Sequence, residues 1–288
     1  MMTATTALKL PLLLGALLAA GVTAPARAQS DWASQGPLNN AFVFNLGGFL
    51  FTTDTRASLN GTTSNDEDVD FDRTFGKPGD ATRIRADALW RITPAHHLRL
   101  MYFDNTTDRT RAIDRTIHWG DHTFQAGAVV DSQIKFKMME AAYEWAFLKE
   151  PTYEVAASFG VHVMDISLRL AGTATITDAN GSTSVAQFSS KSGSVTAPLP
   201  VVGIRAGWAV APQWYLEAQG QIFKAEVNGV DGRVNDLRAS ATWMFNPNFG
   251  LGLGYNRFRT TVVVDKDSFN GRMRVGYSGG QVFLTGTF

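Results

Sequence analysis

Apolar and polar residues alternate with a period of two through most of the chain, which is the pattern of β-strands whose two faces meet different surroundings. The pattern is clearest at 82–93, where one face carries Ile84, Ala86, Ala88, Trp90 and Ile92 and the other Arg83, Arg85, Asp87 and Arg91. Similar segments recur at 41–53, 97–105, 135–148, 153–163, 200–210, 214–227, 237–245, 249–256 and 271–288. The sequence therefore predicts about ten amphipathic strands.

The predicted connections fall into two classes that alternate along the chain. Short turns are marked by Pro94, Pro151, Pro212 and Pro247. Longer or polar loops are predicted at 54–79, 106–132, 172–196, 228–232 and 265–270, the second with a hairpin around Gly120-Asp121. Alternating short periplasmic turns and longer outer loops are typical of outer-membrane barrels, whereas a soluble β-sandwich does not need them. We predict an all-β fold, an antiparallel up-and-down transmembrane β-barrel.

Aromatic residues next to the short turns predict a girdle at the periplasmic side of the membrane. They are Trp90, Trp145, Tyr153, Trp208, Trp214, Trp243, Phe245 and Phe249. In the last strand the apolar positions change parity, from the odd-numbered Met273, Val275 and Tyr277 to the even-numbered Val282, Leu284 and Phe288. We expect a β-bulge at Gly279-Gly280 to explain this change.

The first residues predict a secretory signal peptide over 1–28, which leaves 29–288 as the barrel domain. Lys9 is followed by an apolar run at 10–22 and by the cleavage pattern Ala26-Arg27-Ala28. The run is shorter than the roughly 20 residues of a membrane-spanning helix. The chain has 26 basic and 26 acidic residues, a balance that argues against a nucleic-acid partner. It has no cysteine, which excludes disulfides and thiolate metal sites.

The charged faces of the strands must point into the barrel, because lipid cannot solvate them. The predicted lumen charge network consists of Arg83, Arg85, Asp87, Arg91, Arg99, Glu140, Glu144, Glu154, Arg205, Glu217 and Arg238, with His162 and Arg274 beside them. Both signs occur in similar number, so we expect ion pairs. A ten-stranded barrel is only slightly wider than the eight-stranded kind that side chains fill, so we predict a mostly closed lumen. A narrow hydrophilic, porin-like pore for small solutes is the alternative.

Candidate chemistry is sparse. The acidic run at 66–72 lacks the glycine and terminal glutamate of an EF-hand loop, so we predict a solvated loop and no metal site. His118, Asp121 and His122 lie together in the second loop, and a carboxylate with a histidine is the pair that hydrolases use to activate water or serine. Polar turn residues are the simpler interpretation. His96 and His97 are expected at the surface, and we predict no catalytic residue and no cofactor.

The signal peptide, the alternating strands, the proline-marked turns and the terminal Phe288 resemble Gram-negative outer-membrane β-barrel proteins over nearly all of 29–288. These features identify the class and not the member. A barrel of ten strands resembles those of the omptin proteases and of certain adhesins. Lipid A-modifying enzymes use similar small barrels. An omptin-type pair of Asp residues with an Asp-x-His motif is not found on the predicted strand tops, which counts against a protease.

The resemblance implies export through the periplasm to the bacterial outer membrane. It also implies insertion by the barrel-assembly machinery, which reads the last strand and its terminal aromatic, Phe288. Our leading hypothesis is a non-enzymatic, monomeric barrel whose long loops contact the cell exterior or lipopolysaccharide. Arginines near the loop bases suit anionic phosphate groups: Arg109, Arg111, Arg115, Arg257 and Arg259. A hydrolase that uses the second-loop histidines is the least favoured hypothesis.

Overall fold

The computed structural model describes residues 36–60, 69–76, 82–119, 121–178, 180–227, 230–266 and 269–288. The predicted signal peptide at 1–28 lies outside these residues, as does part of the acidic run. In chain order the elements are β1 (Phe42–Asn60), β2 (Val69–Asp70), α1 (Phe71–Phe75), β3 (Thr82–Arg91), β4 (His96–Ala112), β5 (Ile117–Trp119), β6 (His122–Phe124), β7 (Val129–Glu150), β8 (Tyr153–Thr177), β9 (Thr183–Ala211), β10 (Trp214–Val227), β11 (Val230–Met244), β12 (Phe249–Lys266) and β13 (Phe269–Thr287).

Ten of the strands in the described part of the chain form one closed antiparallel barrel, in the order β1, β3, β4, β7, β8, β9, β10, β11, β12 and β13. The last strand pairs with the first, from Val43 opposite Thr287 to Asn60 opposite Asn270. The backbones of Phe42 and Phe288 also bond to each other in both directions, at 2.8 and 2.9 Å. A closed barrel has no free edge, so the backbone groups of the wall are satisfied between strands. The predicted fold is confirmed.

The connections lie at two different ends. Short turns after β3, β7, β9 and β11 define the short-turn end, where the sequence predicted them. At the opposite, long-loop end, strands continue into the segments predicted as loops: among the described residues, β1 extends to Asn60, β4 to Ala112, and β8 to Thr177. Those loop boundaries were wrong. The predicted hairpin is present as β5 and β6, with Trp119 opposite His122. No helix among the described residues is long and apolar enough to cross a membrane.

Outward-facing apolar side chains surround the half of the barrel nearest the short turns, and we call this zone the apolar belt. On β8 it runs from Tyr153 to Val163, which at about 3.3 Å per residue is roughly 33 Å along the strand. A strand tilt of about 40° reduces this to a height of roughly 25 Å, the thickness of the apolar band of outer-membrane barrels. The exposed aromatics at the short-turn end include Trp90, Trp145 and Trp243.

Beyond the belt, the apolar side chains of the strands face the interior and the polar side chains face outward. On β7, Lys135 and Lys137 are exposed while Phe136 and Met138 are buried inside the barrel. The upper section of the barrel is therefore apolar inside and polar outside, as in a soluble protein.

This inversion corrects the prediction for the last strand. The pairing of β13 with β1 and β12 runs residue by residue through Gly279 and Gly280, so the predicted β-bulge there was wrong. Met273, Val275 and Tyr277 are buried in the interior rather than exposed to lipid. The apolar positions change parity because the strand leaves the belt, and its apolar face then becomes the inner one.

Candidate functional site

The interior at the level of the apolar belt is filled by charged and amide side chains, which we call the polar layer. The alternation of each strand turns them inward, opposite the belt residues. Arg205 is the most connected member and is fully buried. Its guanidinium donates to Glu144 at 2.7 Å and to Glu154 at 2.5 Å, and lies 3.5 Å from Glu217.

Other arginines complete the bonding of the same three carboxylates. Arg99 donates to the second oxygen of Glu144 at 2.6 Å and lies 3.4 Å from Glu217. Arg91 lies 3.2 Å from Glu154, whose other oxygen accepts from Lys149 at 2.9 Å. Each buried carboxylate in this part of the layer therefore faces more than one cation.

A second group of charges lies across the lumen. Arg238 donates to Glu140 at 2.7 Å and to Asp236 at 2.5 Å. Arg85 and Asp87 form a separate pair at 3.0 Å, and Asp87 is also 3.7 Å from Arg238. The sequence analysis did not include Asp236, although it precedes Arg238 by two residues and so shares its face of the strand.

Uncharged side chains link the network further. Gln221 donates to Glu140 at 2.6 Å and its carbonyl lies 3.0 Å from a ring nitrogen of His162. His97 is fully buried and contacts the carbonyl of Pro94 at 3.1 Å. The expectation that His97 is a surface residue was wrong, because β4 begins at His96 and gives His97 the inward parity of Arg99.

Two predicted lumen residues lie at the margin of this network or outside it. Arg83 is at the upper edge, where it donates to the side chain of Asn105 at 2.9 Å and to the carbonyl of Thr106 at 2.7 Å. Arg274 is exposed on the outer surface, so its placement in the lumen was wrong. The reason is again the inversion, since beyond the belt the charged face is the outer one.

The polar layer leaves little free volume. A cavity of about 30 Å³ lies between Arg85, Arg99, Glu217 and Arg238, which is room for one or two water molecules. Glu140, His162 and Asp236 lie close enough to share a cation, but Arg238 already occupies the space between the two carboxylates. Buried ions are tolerated only when they are paired in this way.

Packed aromatic rings fill the interior above the polar layer. We call Phe49, Phe103, Phe136, Phe258 and Tyr277 the aromatic layer; all five are buried. Ring centroids are 5.7 Å apart for Phe49 and Phe103, 5.3 Å for Phe103 and Tyr277, and 5.0 Å for Tyr277 and Phe258. These are the separations of favourable aromatic pairs. The rings meet across the lumen and block it.

Elements at the two ends add further cover. At the long-loop end, α1 and the β5–β6 hairpin bury Phe71, Trp119 and Phe124, and the rings of Phe71 and Trp119 are 5.6 Å apart. Asp72 fixes α1 to the wall by accepting from Arg109 at 3.1 Å and from the amide of Thr55 at 3.0 Å. At the short-turn end, Leu38 is buried and its carbonyl accepts from Lys149.

A cluster of polar side chains joins the β5–β6 hairpin to β9. His122 lies 2.8 Å from Asp121 through Nδ1 and 2.7 Å from the hydroxyl of Ser189 through Nε2. Lys191 lies 2.6 Å from the same oxygen of Asp121. Partial burial of Asp121 opposes ionisation, but hydrogen bonds from Lys191 and His122 outweigh it and lower the pKa of the carboxyl group. Asp121 is therefore ionised at neutral pH.

Only Asp121 and His122 of this cluster were predicted from the sequence to lie together. The prediction also grouped His118 with them, but His118 is exposed on the other face of the hairpin, with Thr123 at 3.1 Å. Ser189 is 67 residues from His122 and had no motif around it. Only the pairing of β6 with β8 and of β8 with β9 brings the two together.

The outer surface just beyond the belt carries arginines on adjacent strands, and we call Arg257, Arg259 and Arg274 the arginine patch. Arg259 is opposite Gly276 on β13 and Asn235 on β11. Arg257 is opposite Ser278 and Leu237, and Arg274 is opposite Thr261 on β12 and Arg56 on β1. None of these cross-strand neighbours is acidic, and Arg56 is itself 3.4 Å from Asp54 and 3.4 Å from Asp70. Two other arginines predicted to bind phosphate are differently placed, since Arg109 bonds to Asp72 and Arg115 is 3.4 Å from Asp114.

No protein-family model and no curated protein matches the sequence. The structure is similar to that of the outer membrane protease OmpT from Escherichia coli, with a TM-score of 0.56 and 11% identity over 88% of this chain and 98% of that one.

Two other solved structures align less well, with TM-scores below 0.5, and support no conclusion about this chain. The toluene transporter TodX of P. putida has a TM-score of 0.36 and 10% identity, over 93% of this chain and 95% of that one. Neisserial surface protein A has a TM-score of 0.32 and 12% identity, over 86% and 97%. At these identities a likeness concerns the fold alone. The chain has the fold of the small outer-membrane β-barrel proteins.

Proposed function

We propose that the protein is an integral bacterial outer-membrane barrel with a closed, non-catalytic lumen, which binds lipopolysaccharide at its outer surface. The predicted signal peptide and Phe288 would take it through the periplasm to the barrel-assembly machinery. The likeness to an outer membrane protease is one of fold and adds nothing on activity.

The observation that carries the lipopolysaccharide proposal is the arginine patch. It lies directly beyond the apolar belt, at the level along the membrane normal where the phosphate groups of outer-leaflet lipid lie. Guanidinium groups bind phosphate through two parallel hydrogen bonds, which favours arginine over lysine at such sites. Because no residue directly opposite Arg257, Arg259 or Arg274 is acidic, an anion from outside is the natural partner.

Contacts within the barrel support the closed lumen. The polar layer is paired across the lumen at distances of 2.5 to 3.7 Å, and the aromatic layer covers it. This favours the closed barrel over the alternative of a narrow pore for small solutes. An open pore would need a continuous polar path, and the buried rings of Phe103, Phe258 and Tyr277 interrupt it.

The test is binding of purified lipopolysaccharide to the refolded barrel in detergent, measured by titration calorimetry. We expect replacement of the patch by Arg257→Gln, Arg259→Gln and Arg274→Gln to weaken binding about tenfold or more, since each lost charge-assisted hydrogen bond contributes roughly 1 kcal/mol or more.

A matched control removes three cations from the opposite wall. Lys135, Lys137 and Arg169 are also exposed beyond the belt, but they lie among carboxylates. Lys137 is directly opposite Asp104 and Asp165 on its two neighbouring strands, Lys135 is diagonal to the same two residues, and Arg169 is diagonal to Asp131. Changing these three cations to Gln should leave binding nearly unchanged. Equal weakening by both triple variants would mean general charge attraction, and no weakening by the patch variant would remove the proposal.

A further inference from the structure

The cluster that joins the β5–β6 hairpin to β9 has the connectivity of a hydrolase. Asp121, His122 and Ser189 form a chain of two hydrogen bonds at 2.8 and 2.7 Å, each to a different ring nitrogen of His122. We propose that these residues are a catalytic triad that hydrolyses carboxylic esters outside the cell. This goes beyond the proposed function, which concerns the lumen and the membrane surface, and it replaces the sequence-based hypothesis of a non-enzymatic protein.

The bonding fixes the role of each atom. A carboxylate only accepts hydrogen bonds, so Nδ1 of His122 carries the proton and donates it to Asp121. The neutral ring then has its lone pair on Nε2, which accepts from the hydroxyl of Ser189. A serine whose hydroxyl donates to a histidine that is held by a carboxylate is the arrangement that activates serine as a nucleophile.

Burial supports the role of His122 as a base. Its side chain is 8% exposed, whereas that of Asp121 is 44% exposed. The ring of Phe124 lies 6.3 Å from the imidazole on the core side. The histidine is thus held against apolar packing, and Lys191 fixes the carboxylate at 2.6 Å. His122 is therefore a buried base beside a half-buried serine, and the cluster is not a group of solvated turn residues as the sequence suggested.

The strand that carries Ser189 is irregular at this point. Between β8 and β9 the pairing passes from Gly172–Ser189 to Ala174–Ala186, which leaves Gln187 and Phe188 out of register. Such bulges redirect side chains and are frequent beside active sites. The irregular pairing therefore begins directly beside Ser189.

Water is the only reagent besides the ester that the reaction needs. The oxygen of Ser189 forms a bond to the ester carbonyl carbon while its proton passes to Nε2 of His122. The bond between that carbon and the alcohol oxygen then breaks, and the alcohol leaves with the proton from His122. Water adds to the acyl-serine, gives a proton to His122, and releases the carboxylic acid as Ser189 recovers its proton.

Position identifies the source of the substrate. Ile176, opposite His122, lies about a dozen residues beyond Val163 at the edge of the apolar belt, roughly 40 Å along β8 at ~3.3 Å per residue. The acyl chains of the bilayer do not reach this height. The substrate is therefore a water-soluble or surface-bound ester on the outer side. We favour an ester over an amide because its alcohol is the easier leaving group.

The experiment uses the refolded chain in detergent with two probes, para-nitrophenyl acetate for turnover and a fluorophosphonate for covalent labelling followed by mass spectrometry. We expect labelling at Ser189. Ser189→Ala should abolish labelling, and Ser189→Ala and His122→Gln should each lower the rate of ester cleavage at least about a hundredfold.

Two nearby substitutions are matched controls. Ser190→Ala removes the next serine, which is exposed on the opposite face of β9, and His118→Ala removes the exposed histidine of the same hairpin. Both should keep the rate within about twofold. The heat-dependent shift of the folded barrel on a gel checks that each variant is folded.

Labelling of a different residue, no labelling of the unaltered chain, or an unchanged rate for Ser189→Ala would each overturn the triad. The labelling of the unaltered chain needs no variant, so the proposal stays testable even if His122→Gln does not fold. Binding of lipopolysaccharide by the Ser189→Ala protein reports on the arginine patch separately.

Discussion

Within the apolar belt, β7 turns Glu144 inward and Tyr143 outward; beyond the belt, the same strand turns Phe136 inward and Lys137 outward. The lower section of the barrel therefore has a polar interior and an apolar surface, and the upper section has the reverse. The hydrogen-bonded wall is continuous through both. Only the solvent outside changes, from lipid to water, and the side chains exchange faces at that level.

The two interiors are stabilised by different forces. The polar layer consists of paired ions whose desolvation is offset only while every partner is present. The aromatic layer depends on the area of apolar surface that it buries and on the fit of its rings. Removing one member should therefore have different consequences in the two sections, and the following substitutions test this.

The largest effect is expected from Arg205→Leu. It would leave Glu144 and Glu154 buried without their closest cation, which we expect to lower the free energy of unfolding by about 3–5 kcal/mol. Urea unfolding of the barrel in lipid vesicles measures it. Adding Glu144→Gln and Glu154→Gln should recover part of the loss, and the absence of recovery would mean that packing rather than charge was lost.

A somewhat smaller effect is expected from Phe103→Ala in the aromatic layer. Phe103 is buried against Phe49, Phe136 and Tyr277, and its truncation leaves a cavity that we expect to lower the free energy of unfolding by about 3 kcal/mol. Phe103→Leu should lower it by roughly half as much. Equal losses from Leu and Ala would contradict an interior that is held by filled volume.

The smallest effects are expected at two buried tyrosines, Tyr215 beside the polar layer and Tyr277 in the aromatic layer. Tyr215 donates to Glu217 at 3.3 Å, so Tyr215→Phe should lower the free energy of unfolding by about 1 kcal/mol. Among the described residues the hydroxyl of Tyr277 has no hydrogen-bond partner, so Tyr277→Phe should be neutral or slightly stabilising. Equal losses at both positions in the same unfolding assay would contradict the distinction between the layers.

The period of two and the proline-marked turns were enough to predict the closed barrel and its short-turn end. They were not enough for the long-loop end, where Thr, Ser and charged residues face water on strands that the sequence analysis took for loops. The same cause explains the misplaced Arg274 and the predicted bulge at Gly279-Gly280. A rule that assigns apolar residues to the outside fails where the outside is water.

The residues of the polar layer could be predicted from local sequence, whereas the contacts of the cluster at His122 could not. Inward parity identifies Arg205 or Glu144, because every second residue of a strand shares its face. The bond from His122 to Ser189 depends on how far β8 and β9 extend beyond the membrane and on the irregular pairing near Gly172. These are tertiary features, and no residue spacing within the hairpin predicts them.

The most direct test of the closed lumen is single-channel conductance of the refolded chain from Gln29 to Phe288 in a planar bilayer. We expect no conductance from the unaltered barrel. A variant with Phe103→Ser, Phe258→Ser and Tyr277→Ser, in which the aromatic layer is removed, serves as the comparison and should also show no steady conductance, because the paired polar layer still fills the lumen. Steady, ion-selective steps from the unaltered barrel would mean that the lumen is open and that the polar layer lines a pore.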